Sequence, residues 1–419
     1  MRERGVETGG LMFGYFKGSF AFTALCLAIG AWVGWTLTHD VMGTLGVLWI
    51  VFVLGVLEVS LSFDNAVVNA TVLREMNPVW RQRFLTWGIV IAVFGMRIVF
   101  PLVIVAIAAK LGPIDAITLA ATDPVAYERI ITGAHVGISG FGGAFLAMVG
   151  LTFFLDEDKD LHWIGVIERP FAGLSRISGL AIGIVLLVLY AISRQIDPAE
   201  AVTFLTAGMF GLVAYIAVQS IAAVLEKEED DDGRAEDAPR GGAAAAAVAK
   251  SGLAAFLYLE VLDASFSFDG VIGAFALSNN LFVIALGLGI GAMFVRSMTV
   301  MLVDRGTLTE YRYLEHGAFY AIVALAAIML ISVRIEVPEA VTGLIGAAFI
   351  GLAFLTSVRA NRNEPDHEMA LAEASPVAPT GEHLNLQSRV LQEQEACLSV
   401  YPRAATSAFP RKNPISRRY

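Results

Sequence analysis

Long apolar runs separated by short polar stretches follow one another along most of this chain. A hydrocarbon core of ~30 Å needs about 20 predominantly apolar residues per helix. We therefore predict about ten transmembrane segments, at residues 13–37, 43–73, 84–109, 136–155, 177–192, 199–225, 251–276, 281–303, 313–333 and 338–357. This pattern defines the fold class as an all-α, polytopic membrane protein.

The polar stretches between these runs set the expected boundaries. We predict an acidic loop at residues 110–135, a polar loop at 156–176, and an acidic, alanine-rich cytoplasmic linker at 226–250. The linker separates a first membrane half, residues 1–225, from a second one, residues 251–358, and residues 359–419 are predicted to be a disordered cytoplasmic tail. Small residues in the fourth segment predict close helix packing.

One polar group interrupts the second apolar run and occurs again in the seventh. Residues 58–65 read EVSLSFDN and residues 263–270 read DASFSFDG, with four identities in eight positions and equal spacing between the acids. The segments that follow match through Gly88 with Gly287 and Arg97 with Arg296. Five segments per copy is an odd number, so we expect two inverted repeats of five helices, with a site near the bilayer midplane.

Helical spacing assigns the polar residues of the first copy to faces. Glu58, Ser62, Asn65 and Asn69 recur at i, i+4, i+7 and i+11, so they share one face, and Asp64 lies on a neighbouring face. Six residues span about 9 Å along a helix, so Glu58 and Asp64 cannot both bind one small ion unless the helix unwinds. We expect such a break beside Asn65 and beside Gly270.

The second copy is more acidic. Asp263 and Ser267 occupy the equivalent face, Glu260 comes one turn earlier, and Asp269 lies near its end. A carboxylate at the bilayer centre costs roughly 2.5–3.5 kcal/mol. Two readings remain open: Arg97 and Arg296 neutralise acids in purely structural pairs, or the acids bind a cation or protons. The motif acids are Glu58, Asp64, Glu260, Asp263 and Asp269, and two arginines leave three of them unbalanced.

The available donors restrict the ion. Carboxylate, amide and hydroxyl oxygens suit manganese, magnesium or calcium, and neither motif contains Cys or His. We expect Ser62, Asn69, Arg97, Glu260, Ser267 and Arg296 to form a secondary site or to balance charge. His135 and His316 stand at segment ends, where a solvated histidine is expected. The chain has no Gly-x-Gly-Asp group, so an intramembrane aspartyl protease is disfavoured, and we predict no enzyme activity and no tightly bound cofactor.

The motif at residues 58–65 resembles the Glu-x-x-Leu-Ser-x-Asp-Asn group of the TerC family of integral membrane proteins, and the stretch 313–317, YLEHG, is similar to that family as well. The resemblance covers about residues 43–357. It implies manganese export, with other members tied to tellurite resistance. It also implies ligand roles for Glu58, Asp64, Asn65, Asp263 and Asp269. The second copy has Gly270 where the first has Asn65, so symmetric binding of an ion by the two copies is not expected.

Loop charge predicts the orientation in the membrane. Lys and Arg are concentrated in the loops on the side of the N-terminus, and the opposite loops hold only Lys110, Arg129, Arg194 and Arg334. Cytoplasmic loops are enriched in these residues. We therefore expect a multi-pass protein of the bacterial plasma membrane with both termini in the cytoplasm.

The expected function is divalent metal-ion transport, most simply manganese(II) export, with coupling to protons. The partners are then the metal ion and the lipid bilayer, and no nucleic acid is expected. Two alternatives remain: a proton- or sodium-coupled exporter of small organic solutes, and a membrane scaffold for the response to tellurite or metal stress.

Overall fold

A computed structural model describes residues 3–374, apart from 157–158, 160, 175–176, 178, 232–251 and 336. Within these residues the chain is all-helical and contains no strand. Contacts divide it into a unit Met1–Ala360 and a unit Asn361–Tyr419. The described part of the second unit is the end of the last helix.

The helices are numbered here in chain order, and a π-helical segment, Ile91–Val99, joins the fourth to the fifth. They are α1 Glu3–Thr38, α2 Val41–Leu61, α3 Phe63–Glu75, α4 Pro78–Val90, α5 Phe100–Ala108, α6 Pro113–Thr122, α7 Pro124–Gly133, α8 His135–Phe154, α9 Gly165–Leu174, α10 Leu180–Ser193, α11 Pro198–Asp231, α12 Gly252–Ala274, α13 Leu281–Asp304, α14 Thr307–Glu310, α15 Leu314–Ser332 and α16 Glu339–Ala374.

Eight helices in the described residues are long and apolar enough to cross a membrane. They are Phe13–Thr38, Val41–Leu61, Pro78–Ala108, His135–Phe154, Pro198–Ile221, Leu281–Asp304, Leu314–Ser332 and Val341–Arg362. The shorter helix α10 is also apolar. The all-helical, multi-pass membrane architecture predicted from the sequence is therefore confirmed.

The two stretches predicted as polar loops contain helices. Residues 110–135 form α6 and α7, and the loop at 156–176 contains α9. Both α6 and α7 start with proline, which fits the first turn because its missing N–H is not needed there. Asp123 also caps α7 by accepting a hydrogen bond from Ala126 N at 3.1 Å. The loop predictions were wrong because low hydropathy excludes a membrane span but not a helix.

Two helices extend past the predicted ends of the membrane halves. Helix α11 continues to Asp231, so residues 226–231 of the predicted linker are helical, and residues 232–251 lie outside the described residues. Helix α16 continues to Ala374, beyond the predicted boundary at 358, and residues 375–419 also lie outside. Hydropathy marks where a helix leaves the apolar layer, whereas backbone hydrogen bonding decides where the helix ends.

The core of the first unit is built around α8, α13 and α15, the spans with more than half of their residues buried. Glycines on α8 allow its neighbours to approach. A Cβ atom at Gly140 would lie 2.7 Å from Phe204 O on α11, and one at Gly143 would lie 2.7 Å from Leu330 Cγ on α15. This confirms the close packing predicted from small residues in the fourth segment.

Candidate cation site

The helix that carries the first motif is interrupted at Ser62, between α2 and α3. Ser62 has φ −102° and ψ 19°, and its N–H donates to Glu58 O at 3.0 Å. Asn65 N donates to the Asp64 carboxylate at 2.9 Å. The interruption therefore lies three residues before the expected position at Asn65, and the Asp64 side chain accepts an N–H of the first turn of α3.

The helix that carries the second motif, α12, is continuous from Gly252 to Ala274, so the expected break at Gly270 is wrong. It runs antiparallel to α2 and α3. Asn65 Nδ2 donates to Asp263 Oδ1 at 2.8 Å, while a Cβ atom at Gly270 would lie 3.2 Å from Glu58 Oε2. The two motifs therefore face each other head to tail, and their polar residues meet in the interior.

Arg97 lies in the π-helical segment and is 3% exposed. Its Nη2 donates to Glu58 Oε1, and its Nη1 donates to Ala92 O at 2.7 Å and lies 3.6 Å from Asp263 Oδ2. One guanidinium thus neutralises carboxylates from both motifs. π-helical segments are frequent at functional sites, because they reposition side chains relative to a regular helix.

Arg296 on α13 makes a different contact. Its Nη1 donates to the backbone oxygen of Phe84 on α4 at 3.2 Å, and it has no ion pair among the described residues. The two intramembrane arginines are therefore not equivalent. The reading that the intramembrane arginines pair with motif acids therefore applies to Arg97. Among the described residues it does not apply to Arg296.

A cavity of about 40 Å³ lies where these elements meet, and we call it the arginine cavity. Its charged and polar lining consists of Glu58, Ser62, Asn65, Asn69, Arg97, Glu260, Asp263, Arg296 and Thr299. The prediction that Glu58, Ser62, Asn65 and Asn69 share one face is confirmed. The volume is enough for about three water-sized species.

Four oxygen atoms of this lining are buried and accept no hydrogen bond within the part of the chain that the structure describes. They are Asn65 Oδ1, Asn69 Oδ1, Glu260 Oε1 and Asp263 Oδ2. Buried polar atoms in proteins are otherwise almost always paired. All four are hard oxygen donors on the wall of one cavity, which suits them to a cation.

Asp64 does not line the arginine cavity. It lies in a second cavity of about 40 Å³, which we call the threonine cavity, and Glu58 and Ser62 belong to both. The threonine cavity is lined by Glu58, Leu61, Ser62, Asp64, Phe266, Gly270, Leu325, Thr342 and Gly343. Thr342 on α16 was not predicted, because nothing in its local sequence marks it as polar lining.

The remaining predicted residues lie apart from both cavities or outside the description. Ser267 is buried, its Oγ has no hydrogen-bond partner among the described residues, and it lines neither cavity. Asp269 is on α12, and its side chain lies outside the described residues. Among the side chains that are described, no three His, Cys, Asp or Glu form a metal-binding group. Amide and hydroxyl oxygens would therefore complete any ligand set here.

A second buried charged centre lies outside the predicted site, around Glu168 on α9. Glu168 is 1% exposed and accepts hydrogen bonds from Trp163 N at 3.2 Å, Ile164 N at 3.0 Å and Tyr320 Oη at 3.2 Å. Lys159 Nζ lies 3.1 Å from it. We call this group the Glu168 centre.

The pKa values at the Glu168 centre follow from its contacts. Burial opposes ionisation of Glu168, but the Ile164 N–H and the Lys159 ammonium outweigh it and hold the pKa of this carboxyl below its ordinary value. Burial lowers the pKa of Lys159, although Glu168 opposes the shift. The centre therefore holds a carboxylate whose charge is met by several donors.

His316 belongs to this centre, so the prediction that it is a solvated histidine is wrong. It is 4% exposed, its Nε2 lies 2.8 Å from Leu161 O, and the ring packs edge-on against Phe153. The stretch before α9 folds back over the start of α15 and covers the ring. Its position in the sequence placed His316 at the end of a segment, but it could not show that another part of the chain buries the ring.

The spans and their buried polar interior define the class: a multi-pass, α-helical membrane protein with charged residues inside its helical body. The chain belongs to the family described as "Protein of unknown function (DUF475)", which matches residues 63–364. The match contains Asp64, Arg97, Asp263 and Arg296. Comparison with curated proteins and with solved structures gave no match.

Proposed function

We propose that this protein transports a divalent cation across the membrane, with manganese(II) as the favoured ion and export as the direction. The observation that carries the proposal is the set of four buried oxygens without hydrogen-bond partners in the arginine cavity. Carboxylate and amide oxygens are the ligands that hard divalent cations prefer. The resemblance to the TerC family supports manganese among these ions.

Charge supports a cation as well. The arginine cavity holds three acids, Glu58, Glu260 and Asp263, against Arg97 and Arg296. Arg97 is shared by Glu58 and Asp263, so Glu260 has no ion-pair partner among the described residues. An isolated buried carboxylate is costly unless a proton or a cation joins it. The same carboxylates would allow proton coupling.

The size of the cavity favours an ion over an organic solute. Pockets for small organic molecules typically enclose about 300–1,000 Å³. The arginine cavity encloses about 40 Å³. A solute exporter that uses these acids only for its coupling ion would bind the solute elsewhere. The described residues do line a larger, mostly apolar cavity of about 430 Å³ between α1, the π-helical segment and α13, and none of these acids is among the residues that line it.

The proposal includes the finer architecture expected from the sequence. Adding α10 and the acidic helix α12 to the eight apolar spans gives ten membrane helices, arranged as two inverted repeats of five. The head-to-tail contacts of α3 with α12 support this arrangement. The loop charges support a bacterial plasma-membrane location with cytoplasmic termini.

The experiment measures manganese content and growth in bacteria that overexpress the full chain under manganese challenge. We expect the wild type to lower cellular manganese and Glu260→Gln or Asp263→Asn to abolish the effect. Ser60→Ala is the matched control, because Ser60 is an exposed hydroxyl on α2 that bonds Val56 O at 2.8 Å. Manganese content that does not respond to the wild type, at verified expression, contradicts the proposal.

A further inference from the structure

Glu58 separates the arginine cavity from the threonine cavity and presents one carboxylate oxygen to each. Its Oε1 accepts from Arg97 on the side of the arginine cavity. Its Oε2 lies against Gly270, which lines the threonine cavity. Glu58 is 4% exposed, so both oxygens are held inside the protein. One buried carboxylate thus forms the wall between two polar spaces.

The interruption at Ser62 sends neighbouring side chains into different cavities. Asn65 points into the arginine cavity, where it donates to Asp263. Asp64, one position earlier, points into the threonine cavity. Successive residues on a helix point about 100° apart, so adjacent positions can serve opposite sides of the same chain. The first motif therefore supplies donors to both spaces.

The threonine cavity contains its own oxygen donors. Asp64 is 6% exposed, and its Oδ1 accepts a hydrogen bond from Asn65 N at 2.9 Å. Thr342 Oγ1 is buried and has no hydrogen-bond partner in the described part of the chain. Glycine on α16 gives the carboxylate room, since a Cβ atom at Gly346 would lie 3.3 Å from Asp64 Oδ2.

The two cavities differ in their fixed positive charge. The arginine cavity is lined by two guanidinium groups, whereas no Lys or Arg is among the described residues that line the threonine cavity. Asp64 and one oxygen of Glu58 face that space without a fixed cation. A bound cation or a proton would balance them, because an unpaired carboxylate is costly inside a membrane.

We infer that the transport path contains two cation stations in series: one in the arginine cavity and one formed by Asp64, Thr342 and Glu58 in the threonine cavity. Glu58 is the ligand shared by both, and Arg97 holds it in the closed position between them. Movement of an ion from one station to the other requires Glu58 to release Arg97. This inference rests on the proposed function and adds Thr342 to the residues that bind the ion.

The test measures manganese(II) binding to the purified full chain in lipid nanodiscs by calorimetry and equilibrium dialysis. The wild type is expected to bind manganese in two separable events per chain. Asp64→Asn should remove one event and leave the affinity of the other within about threefold. Glu260→Gln should remove the opposite event. Thr342→Val, which keeps the side-chain volume, should weaken the Asp64-dependent event at least roughly tenfold.

Thr356→Val is the matched control, because Thr356 lies on the same helix and bonds Leu352 O at 2.8 Å. It should leave both events unchanged. Loss of all binding in both Asp64→Asn and Glu260→Gln, with each variant eluting as folded protein, would mean one shared site and would overturn the two-station inference alone. A wild type that binds no manganese would overturn both this inference and the proposed function.

Discussion

The protein contains two buried carboxylate centres that differ in how their charge is met. At the Glu168 centre, two backbone N–H groups, a tyrosine hydroxyl and a lysine surround one carboxylate. In the arginine cavity, Glu260 Oε1 and Asp263 Oδ2 accept no hydrogen bond from any described residue. Donors meet the Glu168 carboxylate, although His316 Nδ1 beside it is buried without a hydrogen-bond partner among the described residues. In the arginine cavity, Arg97 pairs with Glu58 and Asp263, whereas Glu260 has no ion-pair partner among the described residues. The first therefore has the character of a structural centre, and the second is the proposed binding site.

This difference can be measured, because neutralising a carboxylate should have opposite effects on protein stability at the two centres. The effect depends on whether the carboxylate has hydrogen-bond and ion-pair partners. Removing a partner from a paired charge destabilises the protein, whereas neutralising an unpaired buried carboxylate removes a desolvation cost. The expected changes in the free energy of unfolding are ordered below from the largest to the smallest.

The largest loss is expected for Arg97→Leu. It leaves Glu58 and Asp263 as buried carboxylates without their shared cation. Breaking a buried pair from one side costs about 3–5 kcal/mol. Denaturation by sodium dodecyl sulfate in mixed micelles measures it. Arg296→Leu is the matched control, with a loss of about 1 kcal/mol, because a backbone oxygen is the one hydrogen-bond partner of Arg296 among the described residues.

Adding Glu58→Gln to Arg97→Leu should recover part of the lost stability, because it removes one of the two carboxylates left unpaired. If Arg97→Leu and Arg296→Leu cost the same, the shared pairing of Arg97 does not stabilise the interior. The distinction between the two arginines would then have no energetic basis.

The next loss is expected for Glu168→Gln, at about 1.5–3 kcal/mol near neutral pH, because hydrogen bonds to a charged group are replaced by weaker ones. The Glu168 pKa is lowered in the folded state. Its contribution is therefore fully present above the pKa of the unfolded chain and is lost as pH falls through the folded pKa. The stability difference between wild type and variant should shrink on acidification.

Glu75→Gln is the control for this variant, because Glu75 pairs with Arg74 at the surface and should contribute little. Manganese export by Glu168→Gln should persist at temperatures where the variant is folded. A variant that is stable but inactive would show that the Glu168 centre takes part in transport and is not only structural.

How much of these centres the sequence predicts depends on how local each feature is. The face shared by Glu58, Ser62, Asn65 and Asn69 follows from helical spacing within one segment, and it was predicted correctly. Spacing also placed Asp64 on a neighbouring face, in agreement with its position outside the arginine cavity. The threonine cavity that Asp64 lines depends on Thr342 and Gly270, which are distant in sequence, so spacing could not reveal it. The Glu168 centre is formed where residues 161–168 pack against α15, and the periodicity of the sequence gives no signal for this contact.

The fold shows the same limit. Hydropathy identified the spans, because the bilayer imposes length and apolarity on each helix. The helices α6 and α7 were missed, although Asp123-Pro124 carries the same helix-start pattern as Asp197-Pro198, where α11 begins. The interruption at Ser62 has no such signal, and the break expected from the spacing of the acids was placed three residues later, at Asn65.

A smaller loss, about 1–3 kcal/mol, is expected for Gly291→Ala on α13, because the added Cβ atom would clash with Cβ and Cγ of Glu58. Displacement of Glu58 should also disturb its pairing with Arg97 and slow manganese export. Gly46→Ala on α2 is the control, since nothing lies within 4 Å of the added atom. It should be neutral or stabilising by up to about 1 kcal/mol. Equal export by the two variants would argue against a role for the Glu58 position.

The smallest change in stability is expected for Glu260→Gln, within about 1 kcal/mol of the wild type or in the stabilising direction, because the variant removes a buried carboxylate that has no ion pair among the described residues. Manganese export should nevertheless be abolished. Glu200→Gln, at the exposed start of α11, should change neither quantity. A stability loss as large as that of Glu168→Gln would show that Glu260 has a partner in the folded protein, and the contrast between the two centres would then fail.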